Sequence, residues 1–114
     1  MKNRIELIKF PVFSDFTVHV EITDDIEKSI KKYSDIADLA DDSDSEADAI
    51  TIYAGGKVCF VFLNPDASIG TAAHEAFHVV ESMMKLVGIK LKGETPAYHI
   101  GYITERICKY LRKR

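Results

Sequence analysis

The sequence predicts an α+β fold in one domain: a small mixed or antiparallel sheet of three or four strands packed on two long C-terminal helices. Apolar residues alternate with period two over 16–22, and two further strand-like runs flank Gly55-Gly56. Apolar residues then recur at helical spacing from Ala73 to Val87 and again from Ile100 to Leu111. The chain has 114 residues, which fits a single domain over 1–114 and leaves little room for a second. At that size roughly two-thirds of the unfolded surface can be buried, enough for a modest core without staples.

Residues 5–13 are mostly apolar but contain Pro11, which suits an edge or a bend more than a central strand. In 16–22, Phe16, Val18, Val20 and Ile22 share one face, and His19 falls on the other, where an exposed structural histidine is expected. Thr23 or Asp24 then caps a short helix over 25–33, with Ile26 and Ile30 at helical spacing.

An acidic loop over 34–48 follows, with a helical turn expected around 36–39. Its Asp42-Ser43-Asp44-Ser45-Glu46 run lacks the turn glycine and terminal bidentate glutamate of a calcium loop. Residues 49–53 and 58–63 make a hairpin through the glycine pair. The second strand is apolar on both faces and so central; the first lies nearer the edge.

Asp66 or Ser68 caps the next helix, which runs to about Val87 with Ala73, Phe77, Val80, Met84 and Val87 as its core stripe. Gly88 is its C-terminal stop. The last helix begins near Pro96, whose missing N–H is harmless in a first turn, and buries Ile100, Ile103, Ile107 and Leu111.

The net charge of −3 does not favour nucleic acid, and the chain lacks aromatic–basic interleaving. Its charge is uneven: seven acids and no base lie between Asp35 and Asp48, while eight bases face two acids between Lys85 and Arg114. The simplest account is a solvated loop and a helix end whose cations suit its dipole. The longest apolar stretch is six residues, too short to span a membrane, and the N-terminus does not read as a signal peptide. Cys59 and Cys108 form no CxxC pair, and Cys59 sits in an apolar run. A reducing, cytoplasmic setting is therefore expected.

His74-Glu75-Ala76-Phe77-His78 reads HExxH inside the amphipathic helix. Residues four apart share a face and rise about 6 Å, so the two imidazoles can converge on one tetrahedral zinc ion. Glu75, one residue round, can reach water at the ion without ligating it. Zinc brings such water to a pKa of about 7, and the carboxylate then serves as general base and returns the proton to a leaving amine.

A catalytic zinc also needs a third protein ligand. Glu81 would lie about 10 Å along the axis from His74, too far for one compact site. It also occupies the glycine position of the metzincin pattern HExxHxxGxxH, which is absent. Glu94 is the favoured candidate, entering from the start of the last helix once the 88–93 turn folds that helix back. His99 is its rival, five residues further on and turned from the Glu94 face.

HExxH followed by Glu94-Thr95-Pro96-Ala97-Tyr98 at the opening of a second helix resembles the gluzincin branch of the zincin metallopeptidases. The small size is similar to minimal zincin-like proteins, including those encoded by phages and prophages. The resemblance spans about 49–111. It implies a zincin-like domain, His74, His78 and Glu94 as zinc ligands, Glu75 as base, and an edge strand at 49–53 pairing with extended substrate. The chain departs from the pattern at Tyr98, where many gluzincins carry an aspartate that supports a ligand histidine. The domain that usually forms the far wall of the cleft is also missing.

Oxyanion help is expected first from Tyr98, with His99 and Tyr102 as the other candidates. The expected activity is zinc-dependent hydrolysis of a peptide or protein amide bond. The alternative is a non-catalytic zincin-like zinc-binding protein that acts by binding a host or partner protein. Neither nucleic acid nor membrane is an expected partner.

Overall fold

The computed structural model describes residues 3–10, 13, 15–33, 48–55 and 57–113. The expected acidic loop, apart from Asp48, lies outside the described residues, as do its helical turn and Pro11. The elements run β1 (Arg4–Lys9), β2 (Thr17–Ile22), α1 (Ile26–Lys31), β3 (Ala49–Tyr53), β4 (Val58–Leu63), α2 (Ile69–Val87) and α3 (Glu94–Arg112). The sheet order is β1-β2-β4-β3. The β1–β2 and β3–β4 pairs are antiparallel and the β2–β4 pair is parallel, so the sheet is mixed. The fold is thus α+β, with β4 central and β3 at an edge.

The register explains why β4 is apolar on both faces. Val18 pairs with Cys59, Val20 with Val61 and Ile22 with Leu63. These six side chains are fully buried and join Ala72, Ala76, Val79, Val80 and Met83 of α2 and Ile103 and Ile107 of α3 in one core. Phe62 points the other way and makes a second cluster with Ile30 and Ile52, with Phe60 packed against it.

That second face corrects the expectation of an exposed His19. The ring of His19 packs against Phe60 and Tyr33, with centroids 4.8 and 5.4 Å away. Its neighbour Glu21 is completely buried. It accepts hydrogen bonds from Tyr33 Oη at 2.7 Å and from Lys32 Nζ and Asn3 Nδ2 at 3.0 Å. Strict alternation marks two faces but does not say that one is wet, and here α1 and the residue after its cap cover it. Burial alone would raise the pKa of Glu21, but hydrogen bonds led by those from Tyr33 and Lys32 outweigh it and hold the carboxyl below its ordinary value.

The caps follow from local chemistry. Asp25, rather than Thr23 or Asp24, caps α1 by accepting from the Lys28 N–H at 3.0 Å. Thr23 is instead held by Ser29, whose hydroxyl donates to it at 2.7 Å. Ser68 caps α2 by accepting from the Thr71 N–H at 3.1 Å, and Gly88 ends it at φ +75°, a left-handed conformation that favours glycine. Gly93 adopts φ +84° ahead of α3, which opens at Glu94 and takes Pro96 into its first turn.

The core stripe of α2 lies about one residue away from its expected position. Val80 and Met84 are buried as expected, but Ala73 is only half-buried and Phe77 and Val87 are 39% and 40% exposed. Ala72, Ala76, Val79 and Met83 take the deepest positions. Ala72 and Ala76 are fully buried in the core shared with the sheet and α3, so packing rather than side-chain size decides which residues the helix buries. Ile103, Ile107 and Leu111 of α3 are buried as expected, and Ile100 packs partly against the same core. The start of α2 (Ile69) and the end of α3 (Leu111, Arg112) border one cleft, so the two helices run antiparallel. Among the described residues no helix is long and apolar enough to cross a membrane.

Candidate functional site

With the core side of α2 fixed by Ala72, Ala76, Val79 and Met83, the 3.6-residue period turns His74 and His78 nearly opposite, toward solvent. His74 is exposed and His78 half-buried. Their Nε2 atoms stand 3.2 Å apart. Two Zn–N bonds of about 2.0–2.1 Å at a tetrahedral angle would separate the nitrogens by about 3.3 Å. The pair therefore fits two ligands of one zinc ion without rearranging the helix.

Glu75 points along the flank of α2 toward the edge strand and is nearly buried. Its Oε1 accepts a hydrogen bond of 2.7 Å from the Thr51 hydroxyl on β3. On the outer side, Glu81 Oε1 lies 3.3 Å from His78 Nδ1. These groups border a cleft of about 390 Å³ between α2 and β3, along with Tyr53 and Ser82. A second cleft of about 410 Å³, beside Pro65, Ile69 and Leu111, has no histidine or glutamate in its wall. Volume does not separate the two; the chemistry does. Behind the site, burial pushes the Cys59 thiol up to about 12, reinforced by the negative charge of Glu75, so it stays a neutral core group.

The structure brings together His74, Glu75 and His78 and leaves the α3 candidates outside the cleft they border. Glu94, the first residue of α3, is exposed. Because α3 runs antiparallel to α2, its start lies beside the end of α2, on the order of 13 Å along the axis from His78. Helix α3 also packs on the core side of α2, whereas the histidines face away from it. The 88–93 turn does fold α3 back, but it returns Glu94 at the wrong height on α2. Among the described residues, no group of three or more His, Cys, Asp or Glu side chains is placed to hold a metal ion.

The rival His99 is a core histidine. Its Nδ1–H donates to the Thr95 carbonyl at 2.7 Å, and its ring lies among Phe10, Phe13 and Tyr98. Tyr98 is 58% exposed on α3, away from the cleft. Tyr102 donates to the Lys9 carbonyl at 3.2 Å, which ties α3 to the end of β1. The phenol that does border the cleft is Tyr53.

Sequence reasoning overlooked Thr51 and the contact of Glu81 with His78. The alternation of β3 placed Thr51 opposite Ile50 and Ile52, but which element lay above it required the strand order. Glu81 was weighed only as a metal ligand, although its i,i+3 spacing from His78 already put the two side chains side by side. No protein-family model, curated protein or solved structure matches the chain.

Proposed function

We propose that the chain is a zinc-dependent, zincin-like hydrolase that cleaves an amide bond in a peptide or protein substrate. The observation that carries this reading is the convergence of His74 and His78 Nε2 at 3.2 Å beside a carboxylate anchored to the sheet edge. His74 and His78 would hold the ion. When bound, zinc supplies Lewis acidity, which makes water a usable nucleophile near neutral pH and polarises a carbonyl.

Glu75 is the general base. Thr51 occupies its Oε1, so Oε2 takes the proton from water and returns it to the leaving nitrogen. The donor on Oε1 keeps the carboxylate from swinging as the proton moves. Strand β3 is the last strand of the described sheet on that side, and an extended peptide pairing with it would run along the cleft. Glu94 is the proposed third ligand, which requires the first turn of α3 to move toward the histidines. Its carboxylate has no hydrogen-bond or ion-pair partner among the described residues, so no such contact holds it back.

A second reading has support from the same geometry. Among the described residues the cleft is walled by α2 and β3 and two ligands stand together, which suits a zincin-like zinc-binding protein that acts by binding a host or partner protein. Metal analysis of the purified protein followed by peptide-library cleavage separates the two. The hydrolase reading expects one zinc per chain and cleavage that Glu75→Gln abolishes while zinc is retained. Stoichiometric zinc with no Glu75-dependent cleavage would favour the binding protein, and substoichiometric metal under zinc-replete conditions would end both.

A further inference from the structure

The two ring nitrogens of His78 have different neighbours, and together these determine where its proton sits. Nδ1 faces Glu81 Oε1 at 3.3 Å and Nε2 faces His74 Nε2 at 3.2 Å. An ionised carboxylate can only accept, so the hydrogen bond to Glu81 places a proton on Nδ1. In a neutral imidazole the lone pair is then on Nε2, the atom aimed at the other histidine. With His74 in its Nε2–H form, that proton donates to this lone pair across the 3.2 Å separation. A metal ion placed between the rings would take the position of this proton.

We propose that Glu81 is a positioning residue for metal binding: it fixes His78 in the Nδ1–H tautomer and turns Nε2 toward the point shared with His74. The inference rests on the zinc reading of the site. Without an acceptor at Nδ1, the proton is free to occupy Nε2, the atom that has to bind the metal. A carboxylate there also makes the ring a stronger ligand. The i,i+3 spacing on one helix gives the contact without any long-range placement, and both side chains remain about half exposed, at 42% and 44%.

The gluzincin pattern draws this kind of support from an aspartate on the second helix, where this chain has Tyr98. Tyr98 lies away from the cleft, so Glu81 does from within α2 what that aspartate does from across the site.

Two measurements on the full chain test the assignment. The first is zinc affinity, by competition with a chromophoric chelator. Glu81→Ala should weaken binding by about 10- to 100-fold, the usual loss when a ligand's orienting partner is removed. Glu81→Gln, which keeps a carbonyl acceptor without the charge, should recover part of that loss. Circular dichroism confirms that both variants keep their helix content. The second is the long-range proton–nitrogen NMR spectrum of the metal-free protein, which should report His78 as Nδ1–H in wild type and shift it toward Nε2–H in Glu81→Ala.

Wild-type affinity in Glu81→Ala with an unchanged His78 tautomer would overturn the proposal while leaving the zinc reading intact. Equal losses in the Ala and Gln variants would reduce Glu81 to a source of charge and overturn the tautomer assignment. Failure of the wild-type protein to bind zinc would remove the zinc reading itself, and this inference with it.

Discussion

Thr51 and Glu75 meet across the gap between β3 and α2, where the Thr51 hydroxyl donates to the Glu75 carboxylate at 2.7 Å. Glu75 is only 6% exposed, so its carboxylate has little water to replace a lost donor. Thr51→Val keeps the shape and removes the hydroxyl; it should cost about 1–3 kcal/mol in urea denaturation. Thr51→Ser should restore most of that stability. Peptide cleavage should fall further in the valine variant than zinc binding does, because the Thr51 hydroxyl bonds to Glu75 rather than to either histidine. Equal stability of the Val variant and wild type would show that the carboxylate is satisfied in another way. At this scale HExxH was legible because helix period alone fixes the relation of residues four apart. The Thr51 contact was not, because it depends on which strand lies beside α2.

At the scale of elements, the strand and helix ends follow local rules, while the orientation of faces depends on neighbours. Strands β3 and β4 have their expected limits, since a glycine pair and a proline-containing turn bound them. The buried stripe of α2 was displaced toward Ala72 and Ala76, both fully buried, because hydropathy ranks alanine below the larger residues of the expected stripe. The polar face of β2 was misread for the related reason that α1 covers it. That covered face makes the β2–α1 junction sensitive to acid. Burial lowers the pKa of His19 below its ordinary 6.5; the nearby Glu21 carboxylate opposes this and Lys32 reinforces it. The unfolded chain therefore takes up a proton near pH 6.5 that native His19 resists, so stability is complete above that pH and declines as pH falls. Glu21, with its pKa held below 4.5, adds a second decline in the same direction at lower pH. Urea midpoints measured from pH 7.5 to 3 should drop in both windows. In His19→Gln the first drop should be shallower and the second unchanged; identical curves for the two proteins would exclude His19 as its source.

At the scale of the whole molecule, the proposed zinc site lies on one flank of α2, while the helix that carries its proposed third ligand packs on the other. Helix period and turn glycines predicted that α3 folds back along α2, and it does. They could not predict the side on which it packs, which is set by Ile103 and Ile107 meeting the sheet-facing core. As a result Glu94 opens α3 near the end of α2, while His74 lies in the first half of α2 and His78 at its midpoint. A third ligand at Glu94 therefore demands movement of the 88–94 corner, whose flanking Gly88 and Gly93 both hold left-handed backbone conformations. All the residues from 85 to 95 are exposed, so little packing opposes that shift. If Glu94 closes on the ion, zinc should slow amide hydrogen exchange across 88–97 in the wild-type protein. Glu94→Ala should then remove this protection and weaken zinc binding at least about 10-fold, since a catalytic zinc site needs a third protein ligand. Loss of affinity without any zinc-dependent protection would mean that Glu94 acts only through its charge. Wild-type affinity in Glu94→Ala would leave His74 and His78 as a two-ligand site, which is the outcome that favours a binding protein over a hydrolase.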